Sequence, residues 1–153
     1  MNRVIETAIA REHYRAPACI VWCFDCRFSD DRPGTVNLLE KFKDLMELRG
    51  SDVIEIAGGA KDIVSPSNEA DREYVLGEIE KSLKLHASPL LVLMVHADCG
   101  AYGTKFADEK EEGIFCEKEL NKAEDVAKAF LAKRGLDVKI EKYYADFSGL
   151  FRI

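Results

Sequence analysis

The sequence predicts an α/β fold: a mostly parallel sheet of four strands plus a short C-terminal strand, with helices on both faces. Two observations predict it. Short apolar runs alternate with longer stretches whose apolar residues recur at helical spacing, so crossover connections join the strands and the sheet is mostly parallel. The most apolar run, Leu90-Leu91-Val92-Leu93-Met94-Val95, has no polar face, as a central strand covered on both sides requires.

In chain order, residues 3–14 place Val4, Ile5, Ala8 and Ile9 on one helical face, and residues 1–16 are therefore expected to form an N-terminal helix. Pro17 breaks the chain, and Ala18-Cys19-Ile20-Val21-Trp22 reads as the first strand. Ser29 to Gly34 is a loop by composition. Residues 36–49 carry Leu38, Leu39, Phe42, Leu45 and Met46 at helical spacing, with Gly50 as the stop. Asp52 to Ile56 is a second strand. Ser67 caps a helix running to about His86, with Val75, Leu76, Ile79 and Leu83 inward. After the third strand, residues 117–134 read as a charged amphipathic helix ended by Gly135. Asp137 to Tyr144 makes a fourth strand, and Leu150 to Ile153 pairs as the last, with Ser148-Gly149 as the turn. No linker or repeat divides the chain, so residues 1–153 are expected to form a single domain.

Composition narrows the function. The 153 residues carry 22 basic and 28 acidic side chains, a net charge of −6. That balance argues against a nucleic-acid partner. No run approaches the ~18 apolar residues of a membrane span, and the first residues lack a signal-peptide stretch, so the expected location is cytoplasmic. Five cysteines in such a chain point to metal binding or thiol chemistry rather than to a disulfide framework.

Two clusters carry the chemistry: Cys23-Phe24-Asp25-Cys26-Arg27 and His96-Ala97-Asp98-Cys99-Gly100. Each follows an apolar strand. In parallel sheets, ligands collect beyond the carboxyl ends of the strands, so residues 73 positions apart converge if the first and third strands are neighbours. Taken singly, Cys23 or Cys99 fits a buried apolar side chain as well as a ligand, His96 fits a structural histidine, and Asp25 with Arg27 an ordinary ion pair. Their conjunction favours an open Cys2His zinc site, with Cys23, His96 and Cys99 as metal ligands and one position left for water or substrate. Bound water there would be the nucleophile. Asp25 would accept its hydrogen bond, and Arg27 would hold Asp25 off the metal by a bidentate contact. Gly100 permits close backbone approach and is a candidate substrate-binding position.

These residues resemble the beta-class carbonic anhydrases, which carry Cys-x-Asp-x-Arg after the first strand and His-x-x-Cys-Gly after the third. The resemblance covers residues 17–104 and extends weakly to the closing segment Tyr143 to Leu150. It implies a Zn2+ enzyme that reversibly hydrates carbon dioxide to bicarbonate, with Cys23, His96 and Cys99 on zinc and Asp25 and Arg27 as a gating dyad. It also implies a homodimer or higher homo-oligomer, with the N-terminal helix packing on the partner. The family usually has Arg-Asn-Ala-Gly-Asn after the second strand. Here Glu55-Ile56-Ala57-Gly58-Gly59 keeps only Ala57 and Gly58, which makes Gly58 the second candidate substrate-binding position. Ala97 replaces the usual threonine or serine, and the chain has no glutamine.

Three alternatives stand beside this reading. Relatives of similar site act on carbon disulfide or carbonyl sulfide. The altered Glu55 to Gly59 segment allows a non-catalytic zinc-binding module. Trp22-Cys23-Phe24-Asp25-Cys26 resembles the Trp-Cys-x-x-Cys of thioredoxin-like redox proteins, although residues 27–34 read as a loop where that helix should begin, and His96 and Cys99 are left unexplained.

Overall fold

Alternate residues of the inner strands face opposite helical layers, and this alternation organises the fold. The computed structural model describes residues 2, 4–30 and 35–153. Its elements are β1 (Cys19–Trp22), α1 (Cys26–Ser29), α2 (Leu38–Leu45), β2 (Asp52–Glu55), α3 (Lys61–Val64), α4 (Glu69–Leu85), β3 (Leu90–His96), a 3-10 turn (Gly100–Tyr102), α5 (Glu109–Ala132), β4 (Lys139–Ala145) and β5 (Leu150–Arg152). The sheet order is β2-β1-β3-β4-β5. The first four strands are parallel, and β5 runs antiparallel to β4.

On one face Cys19, Val21, Leu91, Leu93 and Val95 pack with α3, α4 and α5. On the other, Ala18, Ile20, Trp22, Val92 and Met94 pack with α1 and α2. Both faces of β1 and β3 are thus dry, which is why their sequences are uninterrupted apolar runs. In α4 the inward residues are the expected Val75, Leu76, Ile79 and Leu83. In α5, Cys116, Leu120, Ala123, Ala127 and Leu131 recur every three or four positions. Side chains close the exposed helix N-termini: Asn37 accepts from the Glu40 amide at 3.0 Å, and Asp108 from that of Glu111 at 2.8 Å.

The N-terminal helix is not formed. The described residues of 1–16 are non-helical, and Met1 and Arg3 lie outside the described residues. Val4, Ile5 and Ile9 are 93%, 75% and 80% exposed, so no core receives the apolar stripe, and a lone helix of about 12 residues is marginal in water. Tyr14 ties this segment to the domain: it donates to Asp52 at 2.8 Å and stacks on His86 at 4.2 Å.

Other boundaries shift for local reasons. Of the loop expected at residues 29–34, positions 31–34 lie outside the described residues, and Cys26–Ser29 forms a helical turn that the composition hid. α2 ends at Leu45, before Gly50, because Glu47 turns into the left-handed region and the Leu48 amide closes back on Lys43 at 2.7 Å. Asn68 rather than Ser67 caps α4. α5 begins at Glu109 because Asp108 is its cap, and the short α3 had no sequence signal. No helix among the described residues is long and apolar enough to cross a membrane.

Candidate metal centre

β1 and β3 are adjacent and parallel, with Val21 opposite Leu93. Their carboxyl ends therefore open side by side, placing Cys23 just past β1 against His96, the last residue of β3. Sequence reasoning had put His96 one residue beyond that strand. The chain then folds back through Asp98 at φ +52, a conformation open to Asp at little cost. That reversal returns Cys99 to the same spot at the head of the 3-10 turn. One ligand atom each from Cys23, His96 and Cys99 lies within 4.8 Å of the other two.

The donors suit a metal ion. His96 is buried, and its Nδ1 lies 2.7 Å from the Ala97 carbonyl oxygen. A carbonyl only accepts, so Nδ1 carries the proton and Nε2 presents its lone pair. That Nε2 is buried and has no hydrogen-bond partner among the described residues. A buried lone pair without a donor is costly, and a cation between it and two sulfurs satisfies it. The thiols are primed as well. Cys23 is lowered to about 4 by the Cys99 thiol, with further help from His96 and from the Gly58 amide, which donates to its Sγ at 3.3 Å. Cys99 is pushed upward chiefly by the Cys23 sulfur and then by burial, so the proton stays on Cys99. Burial works against a charged His96, but the Cys23 sulfur, the Ala97 carbonyl and Asp25 outweigh it and raise the imidazole.

Asp25 and Arg27 form the rim. Asp25 caps α1 by accepting from the Arg27 amide at 3.0 Å. Arg27 Nε donates to both carboxylate oxygens at 3.1 Å, and its Nη2 to Oδ2 at 2.7 Å. These contacts, Arg27's side chain foremost, hold the Asp25 carboxyl below the usual carboxylate range. Asp25 Oδ2 stands 3.8 Å from His96 Nε2, and Arg27 lies over the Phe147 ring at 5.4 Å.

A cavity of about 400 Å³ opens at this rim, lined by Cys23, Phe24, Asp25, Gly58, Cys99 and Gly100 among others. Both glycines singled out from sequence therefore face it. Gly58 sits at φ +81, where a Cβ would approach Lys61 to 2.9 Å, while a Cβ on Gly100 would meet open space.

Two side chains of the site escaped sequence reasoning, and so did a structural cluster away from it. Asp98, between His96 and Cys99, accepts from Arg27, a contact across 71 positions that spacing does not reveal. Phe28 packs on the His96 ring at 4.8 Å. His86 and Asp52 pair at 2.7 Å at the opposite end of β2, joining Ser82 and Tyr14 in a structural cluster. Of the remaining cysteines, Cys19 and Cys116 are buried and Cys26 is exposed beside the cavity.

No family profile matches the chain, and no curated protein matches it in sequence. Solved structures do. The carbonic anhydrase of Streptococcus mutans is 16% identical over 97% of this chain and 87% of its own, with a TM-score of 0.50. Beta-carbonic anhydrase isoform I of Trichomonas vaginalis gives the same identity, coverage and TM-score. The likeness runs over nearly the whole chain and leads to one conclusion: this chain has the fold of the beta-class carbonic anhydrases.

Proposed function

We propose that the chain is a divergent beta-class carbonic anhydrase that binds zinc through Cys23, His96 and Cys99 and reversibly hydrates carbon dioxide to bicarbonate. The observation that carries this reading is the unpartnered Nε2 of His96, buried beside two cysteine sulfurs at the carboxyl end of the sheet. Zinc bound there would act as a Lewis acid and lower the pKa of water.

The chain's own residues do the rest. The Ala97 carbonyl fixes the tautomer of His96, and the Gly58 amide supports negative charge on Cys23. Asp25, held ionised by Arg27, accepts a proton or hydrogen bond at Oδ2 from a group entering the cavity. Arg27 keeps that carboxylate turned toward itself and out of the donor cluster. Gly58 and Gly100 leave the cavity wall free of side chains where a small linear substrate would lie. The same reading places the protein in the cytoplasm as a homodimer or higher oligomer. The bare apolar side chains of Val4, Ile5 and Ile9 support a partner surface at the N-terminus.

Elemental analysis followed by stopped-flow carbon dioxide hydration tests the proposal. Zinc-loaded protein without hydration activity between about pH 7 and 9 would overturn it, with carbon disulfide and carbonyl sulfide assayed in parallel as the competing substrates.

A further inference from the structure

Arg27 is held by more than Asp25. Its Nη1 donates to Asp98 Oδ2 at 2.7 Å and its Nη2 to the Asp98 carbonyl oxygen at 2.9 Å. Asp98 is itself anchored, because its amide donates to Glu112 Oε1 on α5 at 2.7 Å. A continuous relay thus runs from α5 through the loop between His96 and Cys99 to the guanidinium, and from there to Asp25. A partly exposed arginine loses rotamer freedom when fixed, and the Asp25 contacts leave Nη1 without a partner. Asp98 fills that edge of the fork and sets its plane.

We propose that Asp98 is a positioning residue, backed by Glu112, that holds Arg27 on Asp25 and so keeps the Asp25 carboxylate off the fourth position of the metal. This rests on the metal-site reading above. Without the Asp98 carboxylate the guanidinium turns more freely, Asp25 is less firmly restrained, and its Oδ2, already 3.8 Å from His96 Nε2, competes with any incoming ligand. Asp98→Asn is the suitable variant, since Asn tolerates the φ of +52 and matches the side chain in size.

The test is an imidazole titration of the cobalt(II)-substituted full-length protein at about pH 8.5, where imidazole is mostly neutral and the lost charge does not bias its entry. The absorption of the cobalt centre reports ligand entry. Asp98→Asn is expected to weaken imidazole binding about 3- to 10-fold, and the difference should vanish when Asp25→Asn is already present. A merely structural role for Asp98 predicts the same loss in both backgrounds. That result, or unchanged imidazole affinity in Asp98→Asn, overturns the proposal and leaves the metal-site reading intact. A parent protein lacking thiolate-to-cobalt absorption overturns both.

Discussion

Asp25 Oδ2 stands 3.8 Å from His96 Nε2, yet Arg27 turns the carboxylate away with three side-chain hydrogen bonds. An acceptor is therefore kept beside the donor cluster without joining it. Asp25→Ala should retain the metal and lower turnover about 100-fold, the lower end for a general acid or base. Metal analysis beside stopped-flow kinetics checks this. Full activity at neutral pH with normal metal content would remove Asp25 from the mechanism.

His96→Ala deletes one of three donors and leaves the two sulfurs alone. Zinc affinity should fall by more than the roughly 10- to 100-fold that follows loss of an outer-shell partner. Competition against a colorimetric chelator measures it.

Four of the five cysteines should divide by reactivity. Cys19 and Cys116 are pushed up to about 12, chiefly by burial, and should resist alkylation at neutral pH. Cys26 is exposed and should label first. Cys23, lowered to about 4, should label once a chelator is added and be protected by zinc. Peptide mass spectrometry after iodoacetamide treatment reads the pattern, and rapid labelling of Cys23 in zinc-loaded protein would contradict its role as a ligand.

Gly59 fixes the loop after β2 against the centre. It sits at φ +58, and a Cβ there would lie 2.3 Å from the Met94 carbonyl oxygen and 3.2 Å from the Cys23 amide nitrogen. Gly59→Ala should cost about 2–4 kcal/mol through combined strain and overlap. Denaturant titration of the zinc-loaded protein measures the loss.

Asp52 gives a pH-dependent prediction. Burial would raise its carboxyl, but hydrogen bonds from Ser82, His86 and Tyr14 outweigh burial and lower it from 3.8. A carboxyl lowered on folding stabilises the native state fully above its unfolded value, and that contribution is lost as pH falls through the folded value. Asp52→Asn should therefore destabilise the protein by about 1–2 kcal/mol near neutral pH. The gap should close as the pH drops below about 3.8, as paired denaturation curves across pH would show.

Much of this was legible in the chain. The runs at Cys19 to Trp22 and Leu90 to Val95 announce buried strands because both faces are covered, and the two motifs lie at their ends. The N-terminal helix misled because apolar spacing records an amphipathic pattern and not the presence of a surface to receive it. Three features had no local signal. The turn at Cys26–Ser29 and α3 at Lys61–Val64 are each a single helical turn held in place by tertiary packing. The Asp98–Arg27 contact joins residues 71 positions apart, and spacing alone carries no information about such a pair.

The most direct test of the central claim is X-ray absorption at the zinc edge of purified protein, with zinc content measured on the same sample. The account predicts about one zinc per chain with two sulfur donors near 2.3 Å and a histidine nitrogen near 2.0 Å, and loss of the metal in His96→Ala. Protein that takes up no zinc, or whose zinc shows a shell without sulfur, would contradict it.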